Sequence, residues 1–201
     1  MHMPEVVDRT RYEAAMQQID AANAEDPNVE YAEGTEVARE LLYSRRMTAC
    51  LERFAPDASE ALCLAARAQH IRRWTIPRKD YPMDRAGYKE WRSALGRFHA
   101  ETAGRILVDA GYEESFVDRV QRLLRKEKLK LDPEVQTLED VACLVFLEFY
   151  LEDFARRHDD DKLLRIIRRT WIKMSPRGQE VALTIPLSER LGSLVTRALE
   201  K

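Results

Sequence analysis

The apolar side chains of this chain recur at intervals of three and four residues along almost its whole length. This spacing places them on one face of an α-helix, so it predicts a fold built from amphipathic helices. Seven glycines and eight prolines leave little room for the many tight turns of an all-β protein. The only short run compatible with a β-strand is residues 181–185. We therefore predict an all-α fold, a single-domain bundle of about eight to ten helices.

Turn-forming residues and helix caps divide this pattern into separate helices. Asp57, with Glu60 three residues later, predicts a capping box at the start of the third helix. We expect Asp84 to be the N-cap of the fourth helix and Gly111 to end that helix. We expect Thr137 to be the N-cap of the most hydrophobic helix. The predicted helices are residues 11–24, 36–54, 57–74, 85–110, 113–125, 138–157, 159–174, 179–185 and 188–199.

The length of 201 residues suits one domain. We predict a single all-helical domain over residues 1–201, with a core over residues 9–157 and a C-terminal helical extension, residues 158–201, packed on that core. The longest apolar run, residues 141–147, is well short of the ~20 residues that a helix needs to cross a bilayer. The N-terminus has no secretory signal pattern. The sequence therefore predicts a cytoplasmic protein without membrane contact.

Positive charge is concentrated in one part of the chain. The whole chain has a net charge of −2, yet residues 67–97 hold nine Lys and Arg against three Asp and Glu. The same segment contains His70 and four aromatic side chains, and His99 follows it closely. A concentrated positive segment with interleaved aromatic rings predicts a cleft that binds an anion such as a phosphate group.

One face of the predicted fourth helix is unusually polar. Arg85, Tyr88, Arg92, Leu95 and His99 follow one another at intervals of three and four residues, so they share one stripe. Burial of unpaired guanidinium groups would cost several kcal/mol each, so this stripe either lines a polar cleft or pairs with carboxylates. The alternative is a surface helix whose arginine side chains extend across the protein body.

Two further polar residues lie on helix faces that the pattern predicts to be buried. His70 continues a stripe with Cys63, where it is either a site residue or a core histidine whose ring is hydrogen-bonded. Asp140 shares a stripe with Leu144. It is either a site residue or the third position of a capping box that begins at Thr137.

Five segments spread over nearly the whole chain carry a family resemblance. They are ELLYSRRMT at residues 40–48, ARAQHIRRW at 66–74, YPMDRAGY at 81–88, FHAE at 98–101 and QTLEDVACLVFLE at 136–148. These segments resemble a family of bacterial and fungal helical proteins, the domain-of-unknown-function family numbered forty-two hundred and two. The resemblance implies a helical protein and does not by itself assign an activity.

The histidine segments and the segment EDVACL at residues 139–144 also resemble, in order and spacing, the HD superfamily of metal-dependent phosphohydrolases. That superfamily uses an all-helical bundle in which histidines and aspartates converge on a metal. The resemblance implies an HD-like core and one divalent metal ion bound by His70, His99 and Asp140. Ser44 and Ile71 stand where the superfamily has two further ligands.

The resemblance and the basic segment together predict a phosphohydrolase-like enzyme that acts on a small phosphorylated molecule, for instance a nucleotide. A metal-bound water would be the nucleophile, and Glu139 or Glu101 the general base. Arginine side chains would bind the phosphate in a bidentate manner, and aromatic rings would stack on a base. The predicted ligand-binding residues are Arg72, Arg73, Trp74, Arg78, Tyr81, Arg85, Tyr88, Arg92 and Lys126.

Two alternatives stay open. The chain is alternatively a non-catalytic, degenerate HD-like module that binds an anionic ligand such as a nucleotide or RNA, since cationic grooves with aromatic platforms also bind single strands. The other alternative is a helical interaction protein whose basic stripe contacts an acidic partner. Salt dependence distinguishes the ligands, because binding to RNA phosphates weakens steeply with added salt and binding in a small pocket much less.

Overall fold

The computed structural model describes residues 8–32 and 34–200. These residues form ten α-helices and one two-stranded sheet. The prediction of an all-α fold is confirmed. The helices are α1 Arg9–Ala24, α2 Arg39–Phe54, α3 Glu60–Arg67, α4 Arg85–Asp109, α5 Glu114–Arg125, α6 Pro133–Val145, α7 Leu151–Ala155, α8 Asp160–Lys173, α9 Pro176–Ala182 and α10 Glu189–Leu199. Short 3-10 turns lie at Arg73–Thr75 and Arg78–Asp80, and a π-helical turn, Phe146–Tyr150, joins α6 to α7.

The helices form two compact units, residues up to Val135 and residues from Gln136 onward. The boundary between the units lies inside α6, a helix that has no break at that point. The assignment of residues 9–157 to a core and residues 158–201 to an extension stays a prediction.

Aliphatic side chains from five helices form the core of the first unit. Ile19, Met47, Leu64, Leu95 and Leu123 come from α1 to α5 in turn and are almost completely buried. Helix α4 packs along α5, and α3 packs against both α2 and α5. Burial of each such side chain contributes about 1.5–3 kcal/mol to stability. This packing fixes the ends of the segment that connects α3 to α4.

A β-hairpin lies where the sequence predicts a loop and the start of a helix. Strand β1, Val29–Ala32, pairs antiparallel with β2, Thr35–Ala38, and Glu30 lies opposite Val37. The prediction that the second helix starts at residue 36 was wrong, because that helix begins at Arg39. Each strand has only four residues and no buried side chain, so the hairpin lacks the run of buried apolar residues on one face that makes a strand recognisable in a sequence. Residues 181–185, the predicted strand-compatible run, instead end α9 and form a turn.

Three side chains cap the N-termini of α3, α4 and α6. The Asp84 carboxylate caps α4 as predicted. Helix α3 is capped by Ser59 and not by Asp57, since the Ser59 hydroxyl accepts an N–H of the first turn at 3.2 Å. Helix α6 begins at residue 133, where the Asp132 carboxylate accepts two N–H groups of the first turn. The prediction that Thr137 caps this helix was therefore wrong.

Helix α3 ends at Arg67, well before the predicted end near residue 74. A left-handed residue, Arg72 with φ of 51°, closes the turns that follow the helix. The side-chain oxygen of Asn23, which is fully buried in α1, accepts the Arg72 N–H at 3.1 Å. This bond links residues that are far apart in the sequence, so helical periodicity alone does not reveal the turn.

Left-handed backbone also marks the ends of α4 and α5. Gly111, with φ of 84°, follows α4 as predicted. In the loop after α5, the lysines 126, 128 and 130 have φ values of 55°, 57° and 78°. A β-carbon makes this conformation unfavourable by roughly 1–2 kcal/mol per residue. The loop therefore has a defined, strained backbone.

The second unit is built on its own aliphatic core. Leu144, Leu151, Leu163 and Leu191 are buried, and α8 packs against α10. The Asp159 carboxylate caps α8, in agreement with the predicted helix at residues 159–174. Throughout the described ranges, no helix has both the length and the apolar character that crossing a bilayer requires.

Arg67 joins α3 to α1 through a half-buried ion pair. Its Nε and Nη2 lie 2.6 and 2.5 Å from the two Asp20 carboxylate oxygens, and Nη1 lies 3.2 Å from Thr48 Oγ1. In Arg67→Leu the Asp20 carboxylate loses its partner, so the free energy of unfolding should fall by about 1–3 kcal/mol in chemical denaturation. The control is Arg9→Leu, which breaks an exposed pair with Glu13 and should change stability by less than about 0.5 kcal/mol. Equal losses in the two variants would contradict this role of Arg67.

Candidate functional site

A pocket opens in the first unit where the segment after α3, the middle of α4 and the end of α5 meet. Its volume is about 360 Å³, in the lower part of the range that is typical of small-ligand sites. We call it the basic pocket. Its lining residues are Gln69, His70, Arg92, Ser93, Leu95, Gly96, Arg97, His99, Leu124, Arg125 and Lys126.

The lining of the basic pocket contains four cations and no carboxylate. Arg125 is paired with Glu127 at 2.6 Å. Across residues 8–32 and 34–200, Arg92 and Arg97 form no ion pair. Lys126 ends α5 in its left-handed conformation. The lining therefore carries positive charge that its neighbours do not fully neutralise, which favours the binding of an anion.

His99 of α4 is a buried, neutral member of the lining. It is 4% exposed, and its Nδ1 lies 2.9 Å from the Ile71 carbonyl oxygen. Because a carbonyl only accepts, Nδ1 carries the hydrogen and Nε2 holds a lone pair. Burial lowers the pKa of His99 to about 3, although the hydrogen bond to the Ile71 carbonyl raises it. Nε2 is buried and has no hydrogen-bond partner among the described residues.

His70, in the turns after α3, contacts a second set of polar residues. Its ring stacks on Tyr43 with centroids 3.9 Å apart, and its centroid lies 6.0 Å from that of His99. Its Nδ1 lies 3.3 Å from Glu40 Oε2. Burial lowers the pKa of His70 well below its usual value, and the Arg73 cation lowers it further. His70 is therefore neutral, and its contact with Glu40 is not an ion pair.

Glu40 is a buried acid that the sequence analysis does not identify. It lies at the start of α2, is 5% exposed, and has Oε1 4.0 Å from Arg73 Nη1. Burial raises the pKa of Glu40 to about 7, although Arg73 lowers it. The sequence does contain a signal, since Glu40 shares a helical stripe with Ser44 and Leu51, both buried. An acid on that stripe marks a polar group inside the core.

The structure brings together part of the predicted ligand-binding set. Arg92 and Lys126 line the basic pocket with His70 and His99. Of the polar stripe on α4, only the part from Arg92 to His99 lines the pocket, whereas Arg85 and Tyr88 are exposed and lie outside the lining. The predicted residues outside the lining are Arg72, Arg73, Trp74, Arg78, Tyr81, Arg85 and Tyr88.

Three arginines outside the lining interact with their own surroundings. Arg72 forms an ion pair with Glu25 at 2.6 Å. Arg78 donates to two carbonyl oxygens of the loop before α4. The Arg73 guanidinium carbon lies 5.0 Å from the centre of the Trp91 ring, a distance at which a cation and an aromatic face attract each other. These contacts position the α3–α4 connection beside the basic pocket.

The predicted acidic residues are not among the residues that line the basic pocket. Asp140, buried in the second unit, accepts the Ser175 N–H at 2.8 Å and the Ser175 hydroxyl, so it holds the start of α9. Its alternative role in a capping box was wrong, because α6 begins well before it. Glu139 is also buried, with Oε1 3.2 Å from Lys173 Nζ. Glu101 is exposed on α4 and lines a separate, open pocket of about 500 Å³.

The donor set of the basic pocket fits a metal ion poorly. Its two imidazoles are the only donors of the kind that metals favour, and divalent ions take four or more ligands, commonly with carboxylates among them. Ser44, at one expected ligand position, donates its hydroxyl to a carbonyl of α2. Ile71, at the other, is buried and offers only its carbonyl to His99. In the part of the chain that the structure describes, no three His, Cys, Asp or Glu side chains are grouped to hold a metal.

Glu40 predicts a pH dependence of stability. The pKa of Glu40 is about 7 in the folded protein and 4.5 in its ordinary state. Between these values the unfolded chain has lost the proton that the folded protein keeps, so stability should fall as pH rises from about 4.5 to 7 and stay low above that. Glu40→Gln has no proton to lose. The free energy of unfolding of Glu40→Gln minus that of the wild type should therefore increase by about 1–3 kcal/mol from pH 5 to pH 8.

Chemical denaturation of both proteins at the two pH values measures this gain. The Glu101→Gln variant, which changes an exposed glutamate of α4, is the matched control and should follow the wild type. A difference between Glu40→Gln and wild type that is the same at pH 5 and pH 8 would contradict the burial of an ionisable Glu40.

Comparisons with known proteins give one match. No curated protein and no solved structure matches the chain. The family model described as Domain of unknown function (DUF4202) matches residues 13–195, a range that includes the whole basic pocket. The resemblance to that family is confirmed, and the resemblance to the HD superfamily stays a prediction. The chain belongs to the DUF4202 family.

Proposed function

We propose that this protein binds a small phosphorylated molecule in the basic pocket. The observation that carries the proposal is the lining itself, which contains four cations and no carboxylate. Arginine matches phosphate oxygens in bidentate fashion, and two of the four cations are arginines without an ion pair among the described residues. A phosphate would supply the negative charge that this lining lacks.

The size of the pocket favours a small ligand over RNA. Its volume is about 360 Å³, whereas binding of a single strand uses an extended groove with several stacking rings. Trp74, Tyr81 and Tyr88, the rings predicted to stack on bases, are not part of the lining. With a small ligand, affinity should depend only weakly on salt, and with RNA it should fall steeply.

Arg92 provides the direct test of phosphate binding. In Arg92→Gln the dissociation constant for pyrophosphate or adenosine monophosphate should rise about tenfold, because a charge-assisted hydrogen bond is lost. Isothermal titration calorimetry of the full chain measures it. The control is Arg85→Gln, on the same helix but exposed and outside the lining, which should bind as the wild type does. Equal affinities in wild type and Arg92→Gln, or no binding by the wild type, would overturn the proposal.

Turnover of the bound ligand by a metal-dependent reaction is the second candidate. The observation that favours it is the orientation of His99, whose Nδ1 bonds a carbonyl while Nε2 has no partner among the described residues. Histidines that bind metals are oriented in this way. The basic pocket lacks carboxylates, so we derive no catalytic step from its residues.

Elemental analysis of the purified protein, before and after chelation, tests that candidate. If this second candidate is correct, near-stoichiometric manganese, iron, nickel or zinc is present in the wild type and absent from His99→Ala, with unchanged helical content by circular dichroism. The Glu101→Ala variant, altered on the same helix outside the basic pocket, is the control and should keep the metal. A wild type that neither contains nor takes up metal would contradict metal-dependent turnover and leave ligand binding as the function.

A further inference from the structure

Two arginines in the lining of the basic pocket, Arg92 and Arg97, have neither an ion pair nor a hydrogen bond among the described residues. Arg92 is half-buried and Arg97 is exposed, so both side chains are accessible to a molecule in the pocket. Arginine keeps its charge in proteins. Each of the two therefore offers a ligand a positive charge that no carboxylate of the described chain neutralises.

The two arginines leave α4 in different directions. Successive residues of an α-helix advance by about 100° and 1.5 Å, so Arg92 and Arg97 are separated by about 140° around the axis and about 7.5 Å along it. Gly96 lies between them, about 40° from Arg92 and about 100° from Arg97. The α4 wall of the pocket therefore presents these two charges on either side of a residue that has no side chain.

The end of α5 packs against α4 at Gly96. A β-carbon on Gly96 would lie 3.8 Å from the Cα of Arg125 and 3.9 Å from the Leu124 carbonyl oxygen, which is ordinary van der Waals contact. The backbone of α5 therefore stands between the points at which the two arginine side chains leave α4. Carbonyl oxygens at the end of a helix carry partial negative charge, so this middle position does not favour an anion. One anion on each side is more favourable than a single phosphate between the arginines.

The charge of the two guanidinium groups selects the kind of ligand group that binds them. A neutral oxygen accepts a hydrogen bond from a guanidinium but leaves its positive charge uncompensated. Phosphate and carboxylate groups accept stronger, charge-assisted bonds in bidentate geometry. An anion gains more beside the half-buried Arg92 than beside the exposed Arg97, where water screens the interaction. A single phosphate should therefore take the Arg92 side and leave Arg97 for a second anionic group.

We propose that the ligand of the basic pocket carries two anionic groups, a phosphate that binds Arg92 and a second phosphate or carboxylate that binds Arg97 on the other side of the α5 end. This inference rests on the proposed phosphate-binding function and adds the chemical class of the ligand. A volume of about 360 Å³ accommodates a small metabolite with two such groups.

A series of linear alkane bisphosphonates, with one to eight carbon atoms between the phosphorus atoms, tests the proposal. Each is compared with the alkylphosphonate of the same carbon number by calorimetric titration of the full chain. At the best length the dissociation constant of the bisphosphonate should be about tenfold lower or more, because two charge-assisted contacts form instead of one. Phosphonocarboxylates of that length distinguish carboxylate from phosphate as the second group. Bisphosphonates and phosphonocarboxylates that bind no better than the matched alkylphosphonates at any length would overturn the proposal.

Variants of the two arginines assign the two positions. In Arg97→Gln the advantage of the bisphosphonate should fall to about threefold or less, while the alkylphosphonate binds as it does to the wild type. In Arg92→Gln the alkylphosphonate itself should bind about tenfold more weakly. The control is Arg85→Gln, which removes an exposed cation of the same helix outside the lining and should preserve the advantage. Thermal unfolding confirms that each variant is folded.

The outcomes separate this inference from the function on which it rests. Binding that depends on Arg92 but shows no advantage for a second anionic group would overturn the inference and support the proposed function. An equal loss of alkylphosphonate affinity in Arg92→Gln and Arg97→Gln would mean that both arginines bind one phosphate, which also overturns the inference. An advantage that persists in Arg97→Gln would overturn it too. Absence of binding by every phosphonate, pyrophosphate and adenosine monophosphate would overturn both.

Discussion

The hydrogen bond from the Arg72 N–H to the side chain of Asn23 supports the turn on which the basic pocket depends. Arg72 has a left-handed backbone that is unfavourable for a residue with a β-carbon, and a fully buried asparagine from α1 fixes it there. Just before Arg72, Gln69 and His70 line the pocket, and the Ile71 carbonyl oxygen accepts a hydrogen bond from the His99 ring. The tautomer of a histidine on α4 is thus set by a turn that α1 holds in place.

The two histidines of the pocket lining are neutral, and the charged groups of the lining are those that reach solvent. His70 and His99 are neutral because burial disfavours the imidazolium form, and Glu40 titrates near neutral pH for the same reason. The charge belongs to long side chains such as Arg92 and Arg97, which are partly or fully exposed. A neutral interior next to a cationic opening avoids the cost of burying unpaired charge. It also keeps the charges available to a ligand.

Much of the fold could be predicted from the sequence, because long helices with one buried face repeat every 3.6 residues. The prediction failed where local pattern did not decide the structure. The hairpin strands are four residues each and have no buried face, and the turns after α3 depend on a residue of α1. Charge and helical spacing singled out four residues that line the basic pocket, namely His70, His99, Arg92 and Lys126, and their role as site residues stays a prediction. They missed Glu40, because the burial of an acid is a property of the packed protein and not of its own helix.

The left-handed lysines after α5 show how the loop beside the pocket balances charge against stability. Glycine adopts the same backbone without the clash of a β-carbon, so at positions 126, 128 and 130 it would relieve strain that lysine bears. Each such replacement would also remove a cation from the basic part of the molecule. Selection for thermal stability alone should therefore favour glycine at these three positions. Lysines that persist there across relatives would reveal selection for charge at the expense of folding.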